Sequence, residues 1–140
     1  MSEQNVELHR RAAAAFTAGD LEALIACFHP NIELHTEFAE MGGLYHGHDG
    51  LRRWWRDFDD AWGGGMRIEP EAYFDLGATT LLFLVARARG SSSGAEVVMA
   101  TAHAITWCDG LAIYFRGYPG RDGALADLGV SADALQAIDP

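Results

Sequence analysis

The chain contains no lysine; all ten of its basic residues are arginine. Schiff-base chemistry, a lysine-bound pyridoxal cofactor and a Walker-type phosphate loop each need a lysine amine, so all three are excluded. Cysteine is nearly as scarce. Cys27 and Cys108 are too few for a disulfide scaffold or a four-cysteine metal site. The longest apolar run, Leu81 to Ala86, falls far short of the ~20 residues of a membrane-spanning helix. The opening Met1-Ser2-Glu3-Gln4-Asn5 is polar and lacks the apolar core of a signal peptide. A reducing cytoplasm is the expected setting. Positive charge is also in deficit: 20 acids against 10 bases give a formal charge of −10. That balance argues against nucleic acid and anionic membrane surfaces as partners. What remains is ordinary globular material, 140 residues with 49% apolar and 21% charged side chains. One domain of this size buries roughly 70% of its unfolded surface, enough for a core with room for a cavity.

Val6, Ala13 and Phe16 mark an opening helix from about Gln4 to Ala18. Gly19 suits its C′ position and Asp20 the N-cap of a second helix carrying Leu21, Leu24, Ile25 and Phe28, which is expected to stop at Pro30. From Asn31 the period becomes two: Ile32, Leu34, Thr36 and Phe38 alternate with Glu33, His35 and Glu37, as in a half-buried strand. The run Gly43-Leu44-Tyr45-His46-Gly47-His48-Asp49-Gly50 reads as a loop leading into the strongest helix of the chain. There Leu51, Trp54, Trp55, Phe58 and Trp62 form an apolar stripe, ended by Gly63-Gly64-Gly65. Strands follow at about Met66–Asp75, Thr79–Arg89, Glu96–Cys108 and Leu111–Tyr118, separated by Gly77, the Gly90–Gly94 loop and Asp109-Gly110. A short helix at about Arg121–Leu128 closes a single domain of residues 1–130, and residues 131–140 form a loosely attached C-terminal tail.

Helices first and antiparallel strands afterwards give an α+β fold with the helices gathered on one face of the sheet. The strand expected at Glu96–Cys108 has two unlike faces. Val97, Met99, Thr101, His103, Ile105 and Trp107 make the bulky one, expected to meet the helices and any cavity. Val98, Ala100, Ala102, Ala104, Thr106 and Cys108 make a small, flat face suited to packing on a second copy of the chain.

These pieces together resemble the SnoaL-like branch of the nuclear-transport-factor-two-like superfamily, which also holds the ketosteroid isomerases. The resemblance rests on Phe16-Thr17-Ala18-Gly19-Asp20-Leu21, Pro30-Asn31-Ile32-Glu33-Leu34 and the Gly43–Gly47 and Gly50–Arg52 segments. It continues through Ala102-His103-Ala104-Ile105-Thr106-Trp107, Asp109-Gly110, Tyr118 and Ala124-Leu125 to Gly129-Val130, about residues 4–130 in all. It implies a cone-shaped, cystatin-like fold with N-terminal helices packed on a curved antiparallel sheet, a pocket inside the cone and a homodimer through the sheet. The ketosteroid isomerase machinery does not carry over. Its carboxylate base falls on Leu34, its tyrosine on Ala12 and its neutral aspartic acid on His103. Nor is the arginine and paired-aspartate set of limonene epoxide hydrolases seen.

His103 is the leading candidate for chemistry: burial among apolar neighbours would keep a neutral imidazole available as base or donor. The alternative is a core histidine satisfied by one good bond. Tyr45 is the second catalytic candidate, as a polar partner at the pocket mouth, against simple packing on the sheet edge. His46 and His48 read as solvated loop residues. Trp54, Trp55, Leu34, Met99, Thr101 and Ile105 are expected to line the pocket, although an aromatic stripe such as Trp54-Trp55-Phe58-Trp62 is also core material. Glu33, His35 and Glu37 share a strand face but lie on the polar side, so a solvent or interface role is expected and a metal site is not. The expected ligand is a small hydrophobic molecule, with no cofactor and no metal. The expected activity is cofactor-free acid–base chemistry (isomerisation, cyclisation, hydration or dehydration), and the alternative is a non-catalytic binding or dimerisation module.

Overall fold

The computed structural model describes residues 2–38, 41–62, 66–89 and 94–140. Helices α1 (Ser2–Ala18) and α2 (Leu21–Ala26) come first, then strands β1 (Phe28–Phe38) and β2 (Met41–His46) and helix α3 (Gly47–Trp62). Strands β3 (Arg67–Asp75), β4 (Thr79–Arg89), β5 (Glu96–Cys108) and β6 (Leu111–Tyr118) follow, with helix α4 (Arg121–Leu128) after them. The fold is α+β, with the N-terminal helices on one face of a curved six-stranded sheet of order β2-β1-β6-β5-β4-β3.

Local chemistry explains most of the boundaries. Gly19 takes φ +71° and its N–H bonds Phe16 O, which ends α1, while the Asp20 carboxylate accepts from Ala23 N at 3.1 Å and starts α2. Asp109 and Gly110 both hold positive φ, 51° and 82°, as the tight β5–β6 hairpin requires. In α4, Gly129 at φ +70° closes the helix through Gly129 N→Ala126 O and Val130 N→Leu125 O. The triple glycine at 63–65 and the loop residues 90–93 lie outside the described residues.

Four expectations are corrected. The second helix stops at Ala26 and the strand after it begins at Phe28, so Pro30 lies within β1. Proline has no N–H to give a ladder, and the β1–β6 register breaks between Phe28 and Glu33 accordingly. The supposed loop before α3 contains a strand, β2, paired antiparallel with β1 through Leu34↔Tyr45 and Glu33↔His46. The sheet is not wholly antiparallel, because β1 and β6 run parallel. Finally, α4 sits on the face of the sheet opposite the other helices. Its Ala124 packs with Ala102, Ala104, Phe74, Leu81 and Tyr118, so the middle of the small face of β5 is covered within the chain.

The helices α1, α2 and α3 bury Leu24, Ile25, Leu51 and Trp54 against Ile32, Leu34, Ile105 and Trp107 of the concave sheet face. A second apolar group joins Val6 and Ala13 to Ile68, Tyr73, Leu82 and Leu84. After α4 the chain makes a short 3₁₀ turn at Ala132–Ala134 and then pairs with β3: Tyr73 N donates to Ile138 O at 2.9 Å and Ile138 N to Tyr73 O at 2.8 Å. Arg10 also bonds the Asp139 carbonyl.

Candidate functional site

Between the helices and the concave face lies a cavity that is partly open to solvent. Helix α1 gives it His9, Ala12, Ala13 and Phe16, and helix α3 gives Trp54 and Phe58. The sheet gives Leu34, Leu82, Thr101, His103, Ile105 and Phe115 among others. Among the described residues the wall contains no aspartate, glutamate or arginine. Its polar side chains among the described residues are two histidines, Thr36, Thr101, Tyr118, whose hydroxyl donates to Asp127, and the indole of Trp54, in a surface that is otherwise aromatic and aliphatic.

His9 projects from α1 on the same stripe as Val6 and Ala13 and is 2% exposed. Its Nδ1 lies 2.7 Å from Thr80 Oγ1, and the same oxygen accepts the Trp107 indole N–H at 2.9 Å. Tyr73 stands edge-on to the ring, with centroids 5.2 Å apart. Burial, and after it the charge of a protonated His103, lower the His9 pKa to about 3. His9 is therefore neutral at physiological pH.

His103 points to the cavity from the middle of β5, where it pairs with Leu82 on one side and Gly117 on the other. Gly117 lies beside the ring: a Cβ there would meet His103 Cδ2 at 3.7 Å, ordinary van der Waals contact. Phe115 meets the imidazole edge-on at a centroid distance of 5.1 Å. The ring keeps part of its surface open to the cavity while protein surrounds it elsewhere, and burial lowers its pKa to about 4. No hydrogen bond to His103 is formed among the described residues. Two positions away on the same strand face, Thr101 is 2% exposed and its Oγ1 also has no partner. A buried hydroxyl left unbonded costs about 1–3 kcal/mol, a cost that a ligand could remove.

Of the residues expected to form the site, Leu34, Trp54, Thr101, His103 and Ile105 meet around the cavity, and Tyr45, Trp55 and Met99 are not part of its wall. The Tyr45 hydroxyl turns to the outside of α3 and donates to Asp57 Oδ2 at 2.9 Å, under the Arg53 guanidinium. Burial, and then the bond to Asp57, raise its pKa. Trp55 packs edge-on against Phe16 and Trp54 behind the wall. Met99 lies near the start of β5, paired with Ala86. His48 is no free loop residue: its Nε2–H donates to Phe28 O at 2.7 Å and fastens the start of α3 to β1. His46 is exposed. His35 and Glu33 lie 3.8 Å apart on the outer face, with His35 against the Tyr114 ring, and the Glu37 side chain lies outside the described residues. Among the described residues no group of three or more His, Cys, Asp or Glu is placed to hold a metal ion.

His9 was not among the expected site residues, nor were Thr80 and Trp107 as its partners. Its signal in the sequence is a histidine three residues after Val6 and four before Ala13, inside an apolar helical stripe. Nothing local says that a threonine 71 positions away completes it.

A pocket of this kind between three helices and a curved sheet is the architecture of a known class, and the family comparison agrees. The model of the SnoaL-like domain matches residues 9–115, and the chain belongs to that family. No curated protein matches it. Among solved structures it is similar to TerC co-crystallised with polyporic acid, at 23% identity over 89% of this chain and 97% of that one, TM-score 0.75. It is also similar to a nuclear-transport-factor-two-like protein of unknown function from Burkholderia pseudomallei, at 20% identity over 88% and 95%, TM-score 0.77. A third is a protein with a ketosteroid isomerase-like fold from Catenulispora acidiphila in complex with trimethylamine, at 16% identity over 91% and 95%, TM-score 0.72. At these identities the likeness is one of fold.

Proposed function

We propose that the cavity binds a small, uncharged, largely apolar molecule and that His103 moves a proton on it without a cofactor. One observation carries the reading: two neutral imidazoles and an unpartnered threonine belong to a wall with no charged side chain among the described residues. Such a wall favours neutral ligands, because an ion would lose its hydration with nothing to replace it. TerC, of the same fold, was co-crystallised with a small molecule, which supports a pocket of this use. A free ring nitrogen of His103 can take a proton from an activated C–H or O–H and return it to another atom of the same molecule, an isomerisation balanced without any co-reactant. A base with a pKa of about 4 is weak, so the substrate must be activated, with its acidic hydrogen beside a carbonyl.

The probe is β-tetralone, a neutral aromatic ketone with an activated CH₂. Wild-type protein should accelerate deuterium exchange at that carbon, and His103→Gln should lose about a hundredfold or more of the acceleration, the range general-base groups supply. Binding without exchange would establish the second reading, a non-catalytic binding module, which the absence of a carboxylate among the described wall residues favours. Failure to bind at all would remove the pocket's proposed role.

We also propose a homodimer through the convex sheet face. Val98 at 50% exposed and Ile113 at 36% remain uncovered beside the area that α4 occupies. Sedimentation should give twice the 15.2 kDa chain mass; a monomer across micromolar concentrations would refute it. Among the described residues no helix is long and apolar enough to cross a membrane. The two free cysteines suit a reducing cytoplasm, where we place the protein.

A further inference from the structure

The bonds behind His9 can be assigned proton by proton. The Trp107 indole nitrogen is a donor only, so its contact with Thr80 Oγ1 at 2.9 Å makes that oxygen an acceptor. Thr80 is fully buried, and its hydroxyl still has one hydrogen to place. The acceptor within reach is His9 Nδ1, at 2.7 Å. If His9 Nδ1 carried a hydrogen instead, Thr80 would receive two donors and its own hydrogen would have no acceptor among the described residues. A buried hydroxyl in that state costs about 1–3 kcal/mol, so the first arrangement wins. The bonds then run in one direction, Trp107 to Thr80 to His9. They leave the neutral ring with its hydrogen on Nε2, the nitrogen that has no protein partner among the described residues.

We propose that Thr80 and Trp107 are positioning residues that lock His9 as the Nε2–H tautomer, so that His9 donates a hydrogen bond to an acceptor oxygen of the bound molecule. His9 borders the cavity and the two residues behind it do not, so the ligand feels only the N–H. The ligand class narrows to neutral compounds that carry a carbonyl or ether oxygen at the α1 side of an aromatic body. His103, unbonded on the β5 wall, is left free to act as the proton acceptor, and the two histidines take different roles although both are neutral. The ligand half of this proposal rests on the function proposed above; the tautomer half does not.

The experiment has a ligand-free arm and a ligand arm. Long-range proton–nitrogen NMR correlation of the His9 imidazole in the free protein should show a pyridine-like Nδ1 and a protonated Nε2. Thr80→Val, which removes the hydroxyl at nearly constant volume, should abolish that single-tautomer pattern, and Thr80→Ser should restore it. In the ligand arm, β-tetralone is compared with its exocyclic-methylene analogue, which keeps the shape and loses the oxygen. The ratio of the two affinities should fall about fivefold in Thr80→Val, the worth of one hydrogen bond, and recover in Thr80→Ser. A protonated Nδ1 in the wild type, or a Thr80→Val ratio equal to that of the wild type, would overturn the proposal. If neither compound binds while the tautomer pattern responds as stated, the relay stands and the proposed function is what fails.

Discussion

At the single residue Thr101 the proposed binding site is held at the expense of stability. Its hydroxyl is buried and unbonded on the cavity wall, which destabilises the empty protein. Thr101→Val should therefore raise stability by about 1 kcal/mol, read by urea unfolding, while weakening the binding of β-tetralone. A loss of stability would mean that the hydroxyl is satisfied in solution by an ordered water. Tyr45 makes the opposite point. It carries a polar group in a conspicuous stretch of sequence, yet its bond to Asp57 uses the hydroxyl on the outer side of α3.

At the scale of elements, the β2–α3 corner is built from close approaches that side chains would block. A Cβ on Gly50 would come within 3.1 Å of the Tyr45 carbonyl carbon and 3.2 Å of its Cβ, and Gly47 holds φ +73° with Pro30 O 3.1 Å from where its Cβ would sit. Gly50→Ala should cost about 1–3 kcal/mol as the corner opens. Gly123→Ala, in open space within α4, should gain about 0.5–1 kcal/mol. Thermal unfolding of the two variants checks both, and equal shifts would contradict the packing described. The stretch that forms this corner was conspicuous in the sequence, and the helix after it was read correctly because the Leu51–Trp54–Phe58 stripe is strong. Strand β2 was missed because Gly42 and Gly43 look like loop residues, whereas their pairing with Glu37 and Thr36 is a non-local matter of register. The place of α4 was missed for a similar reason: eight residues give too little apolar pattern to say which face of a sheet they cover. In the site, strand alternation was enough to bring His103, Thr101 and Ile105 to one face. His9, Thr80 and Trp107 come from three separate elements, and only the folded chain joins them.

Across the whole molecule the two buried histidines set a pH dependence with a definite sign. Both have folded-state pKa values, about 3 for His9 and about 4 for His103, below the 6.5 of an ordinary imidazole. Above pH 6.5 neither folded nor unfolded rings hold the extra proton, and they add no slope. Below it the unfolded chain takes up protons that the fold refuses. Stability should then fall by up to ~1.4 kcal/mol per pH unit for each ring, until the pH nears the folded values. Chemical unfolding at a series of pH values should show the decline beginning near pH 6.5, and the double variant His9→Gln with His103→Gln should flatten it down to about pH 5, above most carboxylate titration. An unchanged slope in that variant would place the effect elsewhere. The charge-free wall has a thermodynamic consequence of its own. A carboxylic acid, ionised in neutral solution, would be held there as the neutral acid, so its pKa rises on binding and its capture draws a proton from the buffer. For a ligand that is ionised in solution, occupancy of this cavity is thus a function of proton activity even where every group of the protein keeps its charge.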